Sequence, residues 1–370
     1  MATKTPDTGA AAVGEGATPA APAAPAAQAR SRSGPARPLV LAAYGLVAVV
    51  VFQLLLASVF LGVLHRPALH NAPVAVVGTS PLSAAVSRHG GDAIRLVPEP
   101  TAQAAQAAIR GGQAFAAILP GRHGESLVID TAASPGTASV LTKGFTTAAA
   151  AVKLPLQVRD LAPLPASDPA GISAFFLVIA WVLGGYVGVT VLGVVFGGVR
   201  IPSWHQLGIR LALLAAYAIV SGLLGALLFG PVMGVAPGYN VALAGLGMLV
   251  VFGAATATAG LQALLGMPGT LLAIIAMVVF GDPTSGQSIA TTLLASPWNV
   301  IGQGLPPGAG LSAARGMIYL DGANVAGPLT VLATWAAAGV LLMLAGAAWR
   351  QRRHAAPAVP AVPAAQARPA

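Results

Sequence analysis

The sequence predicts an α-helical polytopic membrane protein of about six spans, with a small extracytoplasmic α/β domain inserted between spans 1 and 2. Three observations carry this reading. Hydrophobic residues make up 56 % of the 370-residue chain and charged residues only 8 %, with a mean hydropathy of +0.79; soluble domains carry about 25 % charged residues. Long apolar runs recur, and no charge at all occurs between Arg210 and Asp282. Residues 65–168 break the pattern, because charges return there and the apolar runs shorten to strand length.

Residues 1–37 are rich in Ala and Pro and have little to bury, which predicts a disordered cytoplasmic tail. Span 1 follows at 38–64. Its 27 uncharged residues behind Arg30, Arg32 and Arg37 are about twice as long as the apolar core of a secretory signal, so the reading is an uncleaved anchor. Within 65–170 the expected order is strand 72–78, helix 80–90, strand 93–99, helix 101–112, strand 114–120, strand 126–132, helix 134–152 and a strand near 156–161. Alternation of this kind predicts a largely parallel sheet. The acidic side chains Asp92, Glu99, Glu125, Asp130, Asp160 and Asp168 are expected on its solvated surface, with a ligand cleft at the strand ends as the alternative.

The five-span membrane domain covers 171–349, with spans near 171–197, 211–230, 240–262, 264–281 and 326–348, and residues 350–370 form a basic, disordered cytoplasmic tail. Lys and Arg gather at the tails and at Arg200 and Arg210, whereas the connections 231–239 and 282–325 hold only Arg315. That asymmetry places both termini inside, in a multi-pass protein of the cell membrane. Small residues recur at four-residue spacing (Gly184/Gly188, Gly193/Gly197, Gly222/Ala226, Gly253/Ala257), which suits close helix packing within the chain or across a homodimer.

Several chemistries find no support. No phosphate-cradling GxxxxGK[ST] and no HExxH occur, the six His residues lack ligand spacing, and Cys is absent. "PTSG" at 283–286 lacks the partners of a serine protease site. The expectation is therefore no enzyme, no catalytic residue, no metal, no cofactor and no nucleic-acid partner. The bilayer is the evident partner.

The connection 282–325 is too long and too apolar for an ordinary loop. Two short helices are expected in it, hinged by a sharp turn at "PPGAG" (306–310), with Arg315 reaching toward headgroups or water. They either dip into the membrane from outside or lie flat on the outer leaflet.

Three stretches, "NAPVAVVG" (71–78), "GGQAFAAILPG" (111–121) and "LPPGAGLSAARGMIYLDGA" (305–323), resemble the YhgE/Pip-type membrane proteins of the ABC-2-type transporter permease group. The resemblance implies a permease subunit of an export system, working in pairs and driven by a separate ATP-binding subunit. On that analogy Pro306, Pro307, Gly308, Gly310 and Arg315 shape an outer gate, and Arg200, Trp204 and Arg210 form the ATPase-contact loop. The alternative is a receptor or adhesion protein that binds an envelope ligand or phage through the outer domain.

Overall fold

The computed structural model describes residue 47, residues 50–55 and 57–61, and residues 69–355 apart from 90, 122–123, 236–237, 239 and 321. The tail 1–37, most of span 1 and the tail beyond 355 lie outside the described residues. The chain divides at residues 51 and 52, and all that follows concerns the second unit, Phe52–Ala370. Its first helical residues, 52–55 and 57–61, are the part of the apolar helix α1 (Val50–Leu61) that lies in this unit, and they contribute Phe52, Leu55 and Val59 to a buried cluster.

The α/β domain contains β1 (Ala72–Val77), α2 (Pro81–His89), β2 (Ile94–Glu99), α3 (Ala102–Arg110), β3 (Ala116–Gly121), β4 (Gly124–Ile129), α4 (Pro135–Ala151) and β5 (Leu156–Asp160). The sheet order is β2-β1-β3-β4-β5. Pairs β1–β2, β1–β3 and β4–β5 are parallel, while β3–β4 is antiparallel, so the sheet is mixed rather than uniformly parallel. Only two residues part β3 from β4, and a parallel crossover needs a dozen or more, so these neighbours must run antiparallel.

Side chains alternate across the sheet as a pleat requires. Val74, Val76, Ile118 and Leu127 meet Leu82 of α2 and Leu141 and Phe145 of α4. Ala75, Ala117, Leu119 and Val128 meet Ala105 and Ile109 of α3 on the opposite face. Helix starts follow local chemistry: the Ser80 hydroxyl accepts from Ser83 N–H at 3.0 Å, and Thr101 Oγ1 accepts from Ala104 N–H at 3.1 Å.

Four helices are long and apolar enough to cross a membrane. They are α5 (Ser173–Val195), α6 (Trp204–Leu227, prolonged by a π-helical turn to Val232), α7 (Asn240–Leu265) and α11 (Ala326–Ala355). α7 is the central one, packed by the other three, and its surface shows why. Gly222 of α6 sits where a Cβ would lie 2.6 Å from Ala244 O, and at Gly339 of α11 a Cβ would lie 2.3 Å from the Thr256 carbonyl carbon. Missing side chains let the backbones approach. Trp181 fills the notch left by Gly225 and Gly247, buried and donating to Ser221 O at 3.3 Å. Of the four predicted small-residue pairs, three pack helices within the chain: Gly184 and Gly188 accommodate Tyr217, Gly222 faces α7, and Gly253 faces α11; Gly193 meets only Val199 of the following turn, and Gly197 has no neighbour there.

The expected fifth span is not a full crossing helix. Gly266, at φ +74°, breaks the chain sharply after α7, and α8 (Met267–Ile274) then continues as a π-helical stretch only to Gly281. Fifteen residues rise about 22 Å, short of a hydrocarbon core of roughly 30 Å. The remaining helices are α9 (Trp298–Gly304) and α10 (Pro306–Tyr319).

Candidate functional site

The segment 282–325 departs from a flat surface pair. Eleven of the 14 residues of α10 are buried, and the helix packs against α5, α7 and α11. Gly310 rests on Val178 of α5 and Val250 of α7. Trp335, ten residues into α11, donates to Gly304 O at 2.8 Å, so the tip of the α9–α10 hairpin sits about 14 Å below the start of that helix. The hairpin is packed among the helices of the bundle.

Its bend also differs from the expected one. The "PPGAG" residues are the first turn of α10 and not a hinge; the break is at Leu305, which is extended (φ −104°, ψ 149°). Pro306 and Pro307 fit there because the first turn of a helix leaves its N–H groups without intrahelical partners. Each residue of the expected gate has a packing role. Pro307 lies over Gly281, and Gly308 lies against the backbone of Gly302, where a Cβ would stand 2.0 Å from the carbonyl oxygen. Pro306 and Gly310 are buried.

Arg315 does not reach water. It is 5 % exposed and donates to Gly286 O at 2.8 Å and to Gln287 Oε1 at 3.1 Å, tying α10 to the irregular stretch after α8. Its Nε is buried without a hydrogen-bond partner. Four residues on, and therefore on the same helix face, Tyr319 donates to Asp168 Oδ2 at 3.0 Å. Asp168 is buried and also accepts from the Ile172 and Ser173 N–H groups, capping α5. Arg315, Tyr319 and Asp168 thus form a buried polar column from the hairpin to the base of the α/β domain. At its end next to the α/β domain a cavity of about 490 Å³ is lined by Tyr319, Leu320, Asp130, Arg110 and Leu161.

Asp282, half-buried, caps the end of the α8 limb. Arg315 itself places a cation inside the bundle, although each expected span was free of charge. Thr284 and Ser285 of "PTSG" donate their hydroxyls to Phe280 O and Asp282 O, at 2.6 and 2.7 Å, and so stabilise the turn that follows α8.

The acidic residues of the α/β domain are only partly the solvated surface expected. Asp92 and Asp160 are exposed, but Glu125, Asp130 and Asp168 are buried. Glu125 accepts from Ser80 Oγ at 2.8 Å at the start of α2. Asp130 accepts from Ala133 N–H at 2.9 Å just ahead of α4. Burial pushes the Asp130 carboxyl above the usual carboxylate range, with the Ala133 N–H opposing and the Asp160 charge reinforcing the rise.

The three residues of the expected ATPase-contact loop separate. Arg210 is 5 % exposed and donates to Gly198 O and Val199 O at 2.5 and 2.9 Å, closing the turn between α5 and α6, with its guanidinium 5.2 Å from the Phe196 ring centroid. It is a structural clamp. Arg200 and Trp204 are exposed.

Sequence reasoning missed Tyr319 as the partner of Asp168, and Gln287 as a partner of Arg315. The four-residue spacing of Arg315 and Tyr319 was a signal for the first. Nothing in the local sequence places 168 beside 319. No protein-family model, curated protein or solved structure matches the chain.

Proposed function

We propose that the protein is the membrane permease subunit of an ABC-2-type export system, moving a lipidic or amphipathic substrate outward with energy from a separate ATPase. The observation that carries this reading is the α9–α10 hairpin packed among the bundle helices beside the truncated α8. Broken helices and buried charge at membrane depth persist where protein or a pathway covers them, and they mark routes through membrane proteins. Glycine-lined contacts at Gly281, Gly302 and Gly308 leave the hairpin held by backbone packing rather than interlocked side chains. Arg315 is then a latch residue, and the gate is the hairpin as a whole. Exposed Arg200 and Trp204 remain for an ATPase contact, without Arg210.

In this reading α5, α7 and α11 run inward, α6 runs outward, both termini are cytoplasmic in the cell membrane, and the α/β domain is outside between spans 1 and 2. The exposed apolar faces of α5 and α6 meet lipid or a paired permease. The test loads a fluorescent short-chain lipid into the inner leaflet of expressing cells and follows its arrival outside with an impermeant quencher. Expected are ATP-dependent outward movement, at least a tenfold loss with Arg315→Gln, and copurification of an ATPase. Movement equal to that of cells lacking the chain, with no ATPase recovered, overturns the proposal.

A second reading rests on a groove of about 630 Å³ in the α/β domain between α2 and α4, lined by Val86, Ile94, Phe145, Ala148 and Val152 with Arg88 at its edge. In a receptor for an envelope ligand or phage this groove is the binding site, and Val152→Asp, at an exposed groove residue, abolishes attachment without changing lipid movement.

A further inference from the structure

At the end of the bundle away from the α/β domain lies a cavity of about 850 Å³. It is walled by the end of α5 (Val194, Phe196), the loop to α6 (Arg200), Gln206, the α7–α8 break (Leu265, Met267) and Arg350 of α11. Two guanidinium groups, Arg200 and Arg350, line it, and neither has an acidic partner among the described residues. Arg353 stands three residues beyond Arg350 on the same helix, so like charges gather at this end of the bundle. An anion seated among them is attracted by each.

The geometry points to a binding site for one anionic phospholipid, its phosphate held by Arg200 and Arg350. Two further features select a lipid over a free anion. Beside the charged floor the walls are apolar and open: Val194, Val195, Leu265 and Met267 are 78, 71, 48 and 63 % exposed, a surface on which acyl chains lie. Trp349, half exposed and stacked under Arg353 at 4.2 Å from its ring centroid, marks the headgroup level. Basic recesses between membrane helices on the cytoplasmic side take lipid headgroups in this way. The Arg200 guanidinium lies over Gly266, where a Cβ would come 3.1 Å from its Nε, so the α7–α8 break makes the recess.

The test titrates the purified full chain, in a neutral detergent, with short-chain phosphatidylglycerol, short-chain phosphatidylcholine, inorganic phosphate and glycerol 3-phosphate, reading thermal stability and bound lipid. Expected is saturable stabilisation by phosphatidylglycerol alone, with apparent affinity falling at least tenfold in Arg200→Gln and in Arg350→Gln and unchanged in Arg159→Gln of β5, which is exposed and away from the recess. Both target side chains reach the surface, so each single variant is expected to fold. Equal stabilisation by phosphatidylcholine, or unchanged phosphatidylglycerol affinity in both variants, overturns the site. The same saturation with inorganic phosphate overturns its assignment to lipid. Lipid transport plays no part in the readout, so failure here leaves the export proposal standing, and failure of export leaves this site standing.

Discussion

Gly308→Ala isolates the closest contact in the α9–α10 hairpin. An added Cβ would lie 2.0 Å from Gly302 O and 3.5 Å from Ser285 Cα, whereas ordinary contacts begin at 3.4 Å. The methyl therefore demands about 1.4 Å of movement, and the obstacle is backbone, which cannot rotate away. Gly302 cannot retreat, because a Cβ there would already be 2.2 Å from Thr284 O. Overpacking of this kind costs about 1–3 kcal/mol, far more than the roughly 0.5–1 kcal/mol that Ala gains over Gly in a helix. Gly208→Ala in α6 is the control, since nothing lies within 4 Å of its Cβ direction and only the helix gain applies. Thermal melts of both variants in detergent should diverge, Gly308→Ala below wild type and Gly208→Ala at or above it. Limited proteolysis should show the first opened near 298–305. Equal melting of Gly308→Ala and Gly208→Ala would refute the argument that α9 and α10 are in backbone contact.

Three further outcomes follow from the same geometry. Arg315→Met leaves Gly286 O and Gln287 Oε1 without their donors; at roughly 1.5–3 kcal/mol per hydrogen bond to a charged group, proteolysis within 284–290 should rise, and Arg315→Lys should restore protection only in part, because one ammonium lacks the fork that spans both acceptors. Trp181→Ala empties the notch between Gly225 and Gly247, and a loss of about 3–5 kcal/mol is expected in melts. Asp130 has a folded pKa above its unfolded value of 3.8, so its contribution to stability is fully present below that value and is lost as pH rises through the raised one; Asp130→Asn keeps the acceptor for Ala133 N–H, so melts against pH should show it at least as stable as wild type near neutrality, with the difference closing in acid.

The α/β domain was legible because its signals are local. Alternating apolar residues in 72–77 and 116–121, a capping Ser80 and Thr101, and turn glycines place each element within a few residues of its observed bounds. The antiparallel step between β3 and β4 was also available, from the shortness of their connection, but the βαβ rhythm around it pointed the other way. Spans at 173, 204, 240 and 326 followed from hydropathy, which depends on composition alone. The hairpin was harder. Its length and its Pro and Gly content announced something unusual, yet Pro at the first helical turn and Pro at a loop corner look the same in sequence. Burial of Arg315 depends on Gly286 and Gln287, some 30 residues away, and a charge on an apolar helix reads by itself as an anchor at the membrane surface. Arg210 failed for the same reason, since its acceptors are carbonyls left free at the end of another helix.

The contact between α4 and the start of the hairpin segment has a thermodynamic corollary. Ala290 N–H donates to Thr137 Oγ1 at 3.0 Å, and Gly136 is pressed against Ser288 O, both in the first turn of α4. Farther along, the same helix supplies Phe145 and Ala148, and its C-cap Val152, to the apolar groove of the α/β domain. One rigid rod therefore carries the groove toward one end and the hairpin's tether at the other. If the position of α4 differs between a latched and an unlatched hairpin, any groove ligand that prefers one of the two shifts their ratio, and the hairpin shifts that ligand's affinity by the same factor.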